Sequence, residues 1–396
     1  MYSVDYYREA FLKHLNTAIT LKEPRNLYEP IQYILQLGGK RLRPVLALIA
    51  SDLFDSNYQK AMNVAIAIEV FHNFSLVHDD IMDKAPLRRG KPTVHQKWNT
   101  NIGILSGDAM LIIAYQLFET YPPEIFAQLA KLFSKTALEV CEGQQWDMDF
   151  EKQTEVSVAR YTQMIRYKTA VLIGAALQMG AIIAETSEKN QQYIYDFGVE
   201  IGLAFQLQDD YLDAFGDENF GKKIGGDIIE NKKTILYLKA LELANENQRK
   251  QLLQWYNTTE ESDEKINKVK QLFKDTNAAT QVREAIAQTT KNALSILETT
   301  ISNHSLEKVT TFRQLTIFRQ LILCSIHLAD EEKYQYWLSR LQGVATNRKS
   351  LLKLKDSLLE EMQAIHDLVI NKQPNPFFET HPAKNKFSYL FNLYYK

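Results

Sequence analysis

Ala61 to Asp83 reads AMNVAIAIEVFHNFSLVHDDIMD, a run whose spacing predicts one long, largely apolar helix, stopped by Ala85-Pro86. Its last turn is acidic. Asp79 and Asp83 are four residues apart and so share a helix face. Like charges at that spacing repel, and at a helix C-terminus each opposes the macrodipole at a cost of roughly 0.3–1 kcal/mol. A solvated helix end would account for one such cluster. The chain has a second: Gln206-Leu207-Gln208-Asp209-Asp210-Tyr211-Leu212-Asp213 repeats the D-D-x-x-D pattern 130 positions later, again after an apolar helix. Two such clusters facing one another would be untenable without cations. Carboxylate oxygens suit Mg²⁺, which takes one or two carboxylates, keeps waters and draws its remaining ligands from substrate phosphates. The spacing therefore predicts a binuclear or trinuclear Mg²⁺–diphosphate site.

Basic, glycine-bearing loops alternate with the acidic helix ends. Gly38-Gly39-Lys40-Arg41-Leu42-Arg43-Pro44 precedes the first; Arg88-Arg89-Gly90 and Pro92-Thr93-x-His95 follow it. Gly221-Lys222-Lys223, Gly225-Gly226-Asp227 and Asn231-Lys232-Lys233-Thr234 follow the second. Arginine forks and lysine point charges match diphosphate oxygens, and glycine allows close backbone approach. No G-x-x-x-x-G-K-[ST], H-E-x-x-H or G-x-S-x-G sequence occurs, which gives nucleotide hydrolysis and the usual protease and hydrolase readings no support.

Composition points the same way. Of 396 residues, 45 % are hydrophobic and 24 % charged, enough for a packed core. With 15 glycines and 10 prolines, turn formers make up about 6 % of the chain against roughly 12 % on average, which favours helices over sheets. Forty-six basic and 48 acidic residues leave a net charge of −2, so nucleic acid is not an expected partner. Two cysteines, Cys141 and Cys324, exclude a disulfide framework and fit a reducing, cytoplasmic setting. Met1 to Phe11 lacks the apolar core of a signal peptide. Ala170 to Ala184, read as the longest nearly uncharged stretch, is shorter than the roughly 20 residues a membrane span needs, so no transmembrane segment is expected.

Helical spacing places further helices at Leu27–Leu37, Val45–Phe54, Ile102–Phe118, Ile125–Asp147, Ser157–Tyr167, Val171–Ala184, Gln191–Phe215, Thr234–Asn245, Gln248–Tyr256, Asp263–Asp275 and Thr280–Ile301. Leu87–Asn101 and Gly216–Lys233 read as loops. No linker falls before about residue 303, so one large all-α catalytic domain over 1–302 is expected, followed by a helical extension over 303–396.

These motifs, in this order over roughly residues 25 to 300, resemble the trans-prenyl diphosphate synthase (polyprenyl synthetase) family. The resemblance implies an all-α bundle of antiparallel helices around a central cavity, usually a homodimer. It implies head-to-tail condensation of isopentenyl diphosphate with an allylic diphosphate (dimethylallyl, geranyl or farnesyl). Residue by residue, it assigns Asp79, Asp83 and Asp209 to Mg²⁺, with Asp80, Asp210 and Asp213 close by. Arg88, Lys168, Lys222 and Lys232 would hold the allylic diphosphate; Lys40, Arg43, His72 and Arg89 would hold isopentenyl diphosphate. Thr169 and Gln206 would lie beside the allylic cation.

Two other functions share part of this pattern. A class I terpene cyclase also uses an acidic helix end with Mg²⁺, but usually has an Asn/Ser/Glu-type second motif and needs no isopentenyl site. A non-catalytic synthase subunit typically loses an acidic motif, whereas both are kept here. For product length, the resemblance points to Phe74, five residues before Asp79; an aromatic there tends to stop growth at fifteen or twenty carbons. With the uninterrupted first motif, this resembles geranylgeranyl diphosphate synthases. The helical wheel instead favours Ser75, about 40° from Asp79 where Phe74 is about 140° away. Past the family's usual end, Leu351, Leu358, Met362, Ile365 and Val369 predict one apolar stripe, followed by an aromatic-rich terminus. That extension reads as an added helical layer or a docking element, and as dispensable for the chemistry.

Overall fold

The computed structural model describes residues 2–55, 57–216, 224–258 and 261–303, with 335, 338, 339, 342 and 355–360 beyond them. The extension therefore lies almost wholly outside the described residues; within it, 355–360 are helical and Leu358 is buried. Lys222 is also outside them.

The chain is all-α, as expected. It forms two compact units, one of residues 1–155 and 159–206, the other of 156–158 with the chain from 207 onward. In the first unit the helices are α1 (Val4–Ala18), α2 (Arg25–Gln36), α3 (Leu42–Asp55), α4 (Met62–Met82), α5 (Val94–Lys97), α6 (Thr100–Phe118), α7 (Pro123–Lys152), α8 (Val158–Ile165) and α9 (Val171–Ile183). α10 (Glu188–Phe215) carries the chain from the first unit into the second. There follow α11 (Gly226–Ile229), α12 (Ile235–Leu243), α13 (Glu246–Tyr256), α14 (Asp263–Asp275) and α15 (Ala278–Asn303).

α4 and α9 are the core helices of the first unit. Val64 to Ile68, Val70 and Phe71 on α4 and nearly all of α9 are buried, as a helix apolar on every side must be. α4 packs on α3 and α6, and α9 packs on α3 and α7. In the second unit α14 packs against α11, α12, α13 and α15.

Four local readings change. α1 was not anticipated; it starts at Ser3, whose hydroxyl accepts the Tyr6 N–H at 3.2 Å, and buries Tyr7, Phe11 and Leu15 at helical spacing. The Leu87–Asn101 loop contains α5 and a two-stranded hairpin, β1 (Leu87–Arg88) with β2 (Lys91–Pro92). Its Arg89-Gly90 turn has both φ angles positive, 52° and 73°, the type I′ geometry that glycine favours. The separate helices expected at 157–167 and 171–184 are joined by a π-helical turn, Arg166–Ala170. The loop over 216–233 contains α11.

Within the described residues, α6 is long and apolar enough to cross a membrane, but a third of that stretch is buried in the protein. Ser106, Gly107, Met110, Ala114 and Phe118 face inward, whereas Leu105 and Ile112 are about 60 % exposed.

Candidate active site

The first acidic motif is placed by the way α4 ends. Lys84 takes the left-handed conformation, φ 52°, just past the helix. The Lys84 N–H then reaches the Ile81 carbonyl at 3.2 Å and the Ala85 N–H reaches the Asp80 carbonyl at 2.9 Å, the paired bonds of a Schellman ending. The helix is thus closed just after the acidic turn.

The three aspartates, alike in sequence, have three surroundings. Asp80 is buried and bound by Arg88, whose Nε lies 2.9 and 2.8 Å from its two oxygens and whose Nη2 lies 2.7 Å from one. This fork anchors the hairpin to α4. Asp83 is exposed. Asp79 lies between: its Oδ1 is buried without a hydrogen-bond partner, 3.9 Å from Lys168 Nζ. Burial holds its carboxyl above the usual carboxylate range, with Lys168 and Arg88 pulling the other way.

Lys168 stands in the π turn, a distortion that often marks functional positions. Its ammonium is 2.6 Å from Asp147 on α7. Burial opposes the charge, but Asp147 and Asp79 outweigh it and raise the pKa. What brings α7 this close is Gly143, one turn before Asp147 on the same face: a Cβ there would sit 2.3 Å from the Lys168 backbone nitrogen. Trp146 stacks on Tyr167 beside it, ring centres 5.3 Å apart. In the same turn the Thr169 hydroxyl donates to the Gln206 side-chain oxygen at 3.3 Å, so that this expected pair is brought together.

A basic group gathers between α2 and α4. Arg43 Nη1 donates to His72 Nε2 at 3.3 Å. Because arginine can only donate, Nε2 is the unprotonated nitrogen. Burial, then Arg43, Arg89, Arg88 and Arg41, hold His72 well below its usual pKa, and the ring is neutral. Arg89 donates to the Gly38 carbonyl, and its guanidinium lies 3.0 Å from where a Gly39 Cβ would be. Lys40 is exposed. Tyr33 on α2 holds the hairpin from below, its hydroxyl 2.7 Å from the Pro92 carbonyl. Phe74 packs toward Phe71 and His78, with ring centres 5.5 and 4.8 Å away, while the Ser75 hydroxyl donates to the His72 carbonyl at 2.8 Å.

In the second unit Asp210 and Asp213 are buried and Asp209 half-buried. Asp213 binds the following segment: its carboxylate accepts the Asp227 N–H at 3.0 Å and its carbonyl the Gly225 N–H at 2.7 Å. Lys232 Nζ lies 2.6 Å from Glu230 and 3.6 Å from Asp227. Among the described residues no three acidic, His or Cys side chains close into a metal cage of their own. Two carboxylates plus a substrate's phosphates remain the arrangement open to Mg²⁺.

The polyprenyl synthetase family model matches residues 24–275. The chain belongs to the polyprenyl synthetase family. It is 37 % identical over 280 residues to a geranylgeranyl pyrophosphate synthase of Geoglobus acetivorans, covering 70 % of this chain and 86 % of that one. It is 40 % identical over 245 residues to a geranylgeranyl diphosphate synthase of Sulfolobus acidocaldarius, covering 61 % and 74 %. A crystal structure of a geranylgeranyl pyrophosphate synthase superposes with TM-score 0.73 at 54 % identity, covering 75 % of this chain and 93 % of that one. As a polyprenyl synthetase the chain is a prenyltransferase, and its helices are those of the family.

Sequence reasoning missed Asp147 and Gly143, for which a glycine and an aspartate one turn apart inside a long helix were the available signal.

Proposed function

We propose that this synthetase condenses isopentenyl diphosphate head-to-tail with allylic diphosphates in the presence of Mg²⁺, giving geranylgeranyl diphosphate. The observation that carries the reading is Asp79: a buried carboxylate oxygen with no hydrogen-bond partner, 3.9 Å from the half-buried Lys168 ammonium. Such an oxygen fits a divalent cation. Asp79 and Asp83 would hold Mg²⁺ on the first motif and Asp209 on the second, where it would neutralise the charge that builds on a departing diphosphate.

The chain's own residues do the rest. Lys168 and Lys232, with Arg88 through the nitrogen that Asp80 does not use, hold the allylic diphosphate as its C1–O bond breaks and the electron pair leaves with the diphosphate. The Gln206 carbonyl and Thr169 hydroxyl present dipoles to the allylic cation. Lys40, Arg43, His72 and Arg89 hold isopentenyl diphosphate so that its double bond attacks that C1, forming the new C–C bond. A proton then leaves C2 of the isopentenyl unit. Among the described residues no side chain is an evident general base, so the diphosphate released in the first step is its acceptor.

The names of the relatives support a twenty-carbon product, and Phe74 supports a bounded cavity. Phe74→Ala should then yield products longer than twenty carbons. Reversed-phase chromatography of the dephosphorylated products reads this directly; an unchanged ladder would remove Phe74 from chain-length control.

The same chain is proposed to be a homodimer. Leu105 and Ile112, seven residues apart on one side of α6, are exposed, as are Leu138 and Cys141 on α7, and such apolar side chains suit a second copy. Ile112→Glu is expected to shift the sedimenting species from dimer to monomer; a wild-type sedimentation profile would exclude this face.

A further inference from the structure

Arg41 stands between Lys40 and Arg43 in the segment joining α2 to α3, and no role has been given it so far. Its side chain is 2 % exposed and its φ is 52°. One guanidinium nitrogen donates to Glu69 on α4 and the other to the Leu35 carbonyl at the end of α2. Glu69 is fixed in turn by Asn73, whose amide donates to the Glu69 carboxylate at 2.9 Å and to its backbone carbonyl at 2.8 Å. Glu69 and Asn73 are buried as well. Two helices and the segment between them are thus tied by one planar fork. Both terminal nitrogens of Arg41 are engaged by the protein, its Nε is buried, and the side chain is only 2 % exposed, so it is not a contact for substrate.

Every cation assigned to isopentenyl diphosphate borders this tie. Arg43 follows Arg41 by two residues and touches His72, which lies on α4 between Glu69 and Asn73. Arg89 donates to the carbonyl of Gly38, three residues before Arg41. Cations gathered this way repel one another, and Glu69 is the buried anion acting on Arg43 and Arg89 as well as on Arg41.

We propose that Arg41, held by Glu69 and Asn73, is a positioning residue for the isopentenyl diphosphate end of the site, fixing the Gly38–Arg43 backbone so that Lys40 and Arg43 meet the diphosphate. This rests on the assignment of Lys40, Arg43, His72 and Arg89 proposed above. A lysine could reach Glu69 as a point charge, but it has no fork to span Glu69 and the Leu35 carbonyl together.

The test is steady-state kinetics of the full chain with each substrate varied in turn. Arg41→Lys keeps the charge and should raise KM for isopentenyl diphosphate roughly 10- to 100-fold, because small misplacements of a binding group cost that much. KM for the allylic diphosphate should stay within about twofold, as this end of the site does not bind it. The double variant Arg41→Met/Glu69→Met removes both partners of the buried pair together, and should fold and show the same split. Arg43→Met is the control: an unchanged isopentenyl KM there would overturn the site assignment itself. If Arg43→Met raises that KM while either Arg41 variant leaves it unchanged, the positioning role is overturned. A parallel rise in both KM values, or failure of both Arg41 variants to fold, makes the tie a general folding element and overturns it equally.

Discussion

Asp79→Ala and Asp209→Ala are each expected to lower turnover by several orders of magnitude, and chelation of Mg²⁺ to abolish it. The reason is electrostatic. The Asp79 Oδ1 atom is buried, has no hydrogen-bond donor and stands 3.9 Å from the Lys168 ammonium. Burial raises the pKa of its carboxyl, with Lys168 and Arg88 pulling the other way. Removing the carboxylate removes a ligand to the ion that takes up the leaving group's charge, and each 1.36 kcal/mol lost from the transition state is about tenfold in rate. Single-turnover rates measured with saturating Mg²⁺ would separate this from weak binding. Near-normal turnover in either variant would exclude that carboxylate as a ligand to the ion.

Gly143→Ala is the second large effect expected. Alanine is normally better in a helix than glycine by roughly 1 kcal/mol, so a loss of stability here isolates the contact. The new Cβ would lie 2.3 Å from the Lys168 nitrogen and 2.8 Å from its Cα, backbone atoms that no rotamer change can move aside. α7 and the π turn must separate, at a cost of roughly 1–3 kcal/mol or more. Lys168 then leaves Asp147, one turn along the same helix face. The expected result is a kcat lower by roughly 100-fold with KM for the allylic diphosphate raised. The melting temperature should fall and KM for isopentenyl diphosphate should hold. Wild-type kcat in the alanine variant would show that the close approach of α7 does not place Lys168.

The helices were legible because α3, α4, α6 and α10 bury apolar residues at helical spacing and end at Gly, Pro or charge. What escaped reading depends on contacts across the chain. The polar run Arg166–Ala170 reads as a gap between two helices, whereas the structure carries the helix through it as a π turn against which Gly143 packs. The hairpin strands are two residues each, too short for alternation to show. Within the site, residue type and spacing singled out the aspartates and the basic loops, but not their division of labour. Asp79, Asp80 and Asp83 look equivalent in sequence; only the fold of the hairpin hands Asp80 to Arg88. Arg41 likewise reads as one more basic residue in a basic loop, because its partner Glu69 is 28 positions away on a buried helix face.

The most direct test of the reaction supplies the purified chain with radiolabelled isopentenyl diphosphate and, in separate vessels, dimethylallyl, geranyl or farnesyl diphosphate. The products are dephosphorylated and sized by chromatography. The expected result is Mg²⁺-dependent label in a twenty-carbon all-trans alcohol from each primer. An unlabelled cyclic hydrocarbon formed from an allylic diphosphate alone, or no incorporation by a folded chain unless a second protein is added, would contradict it.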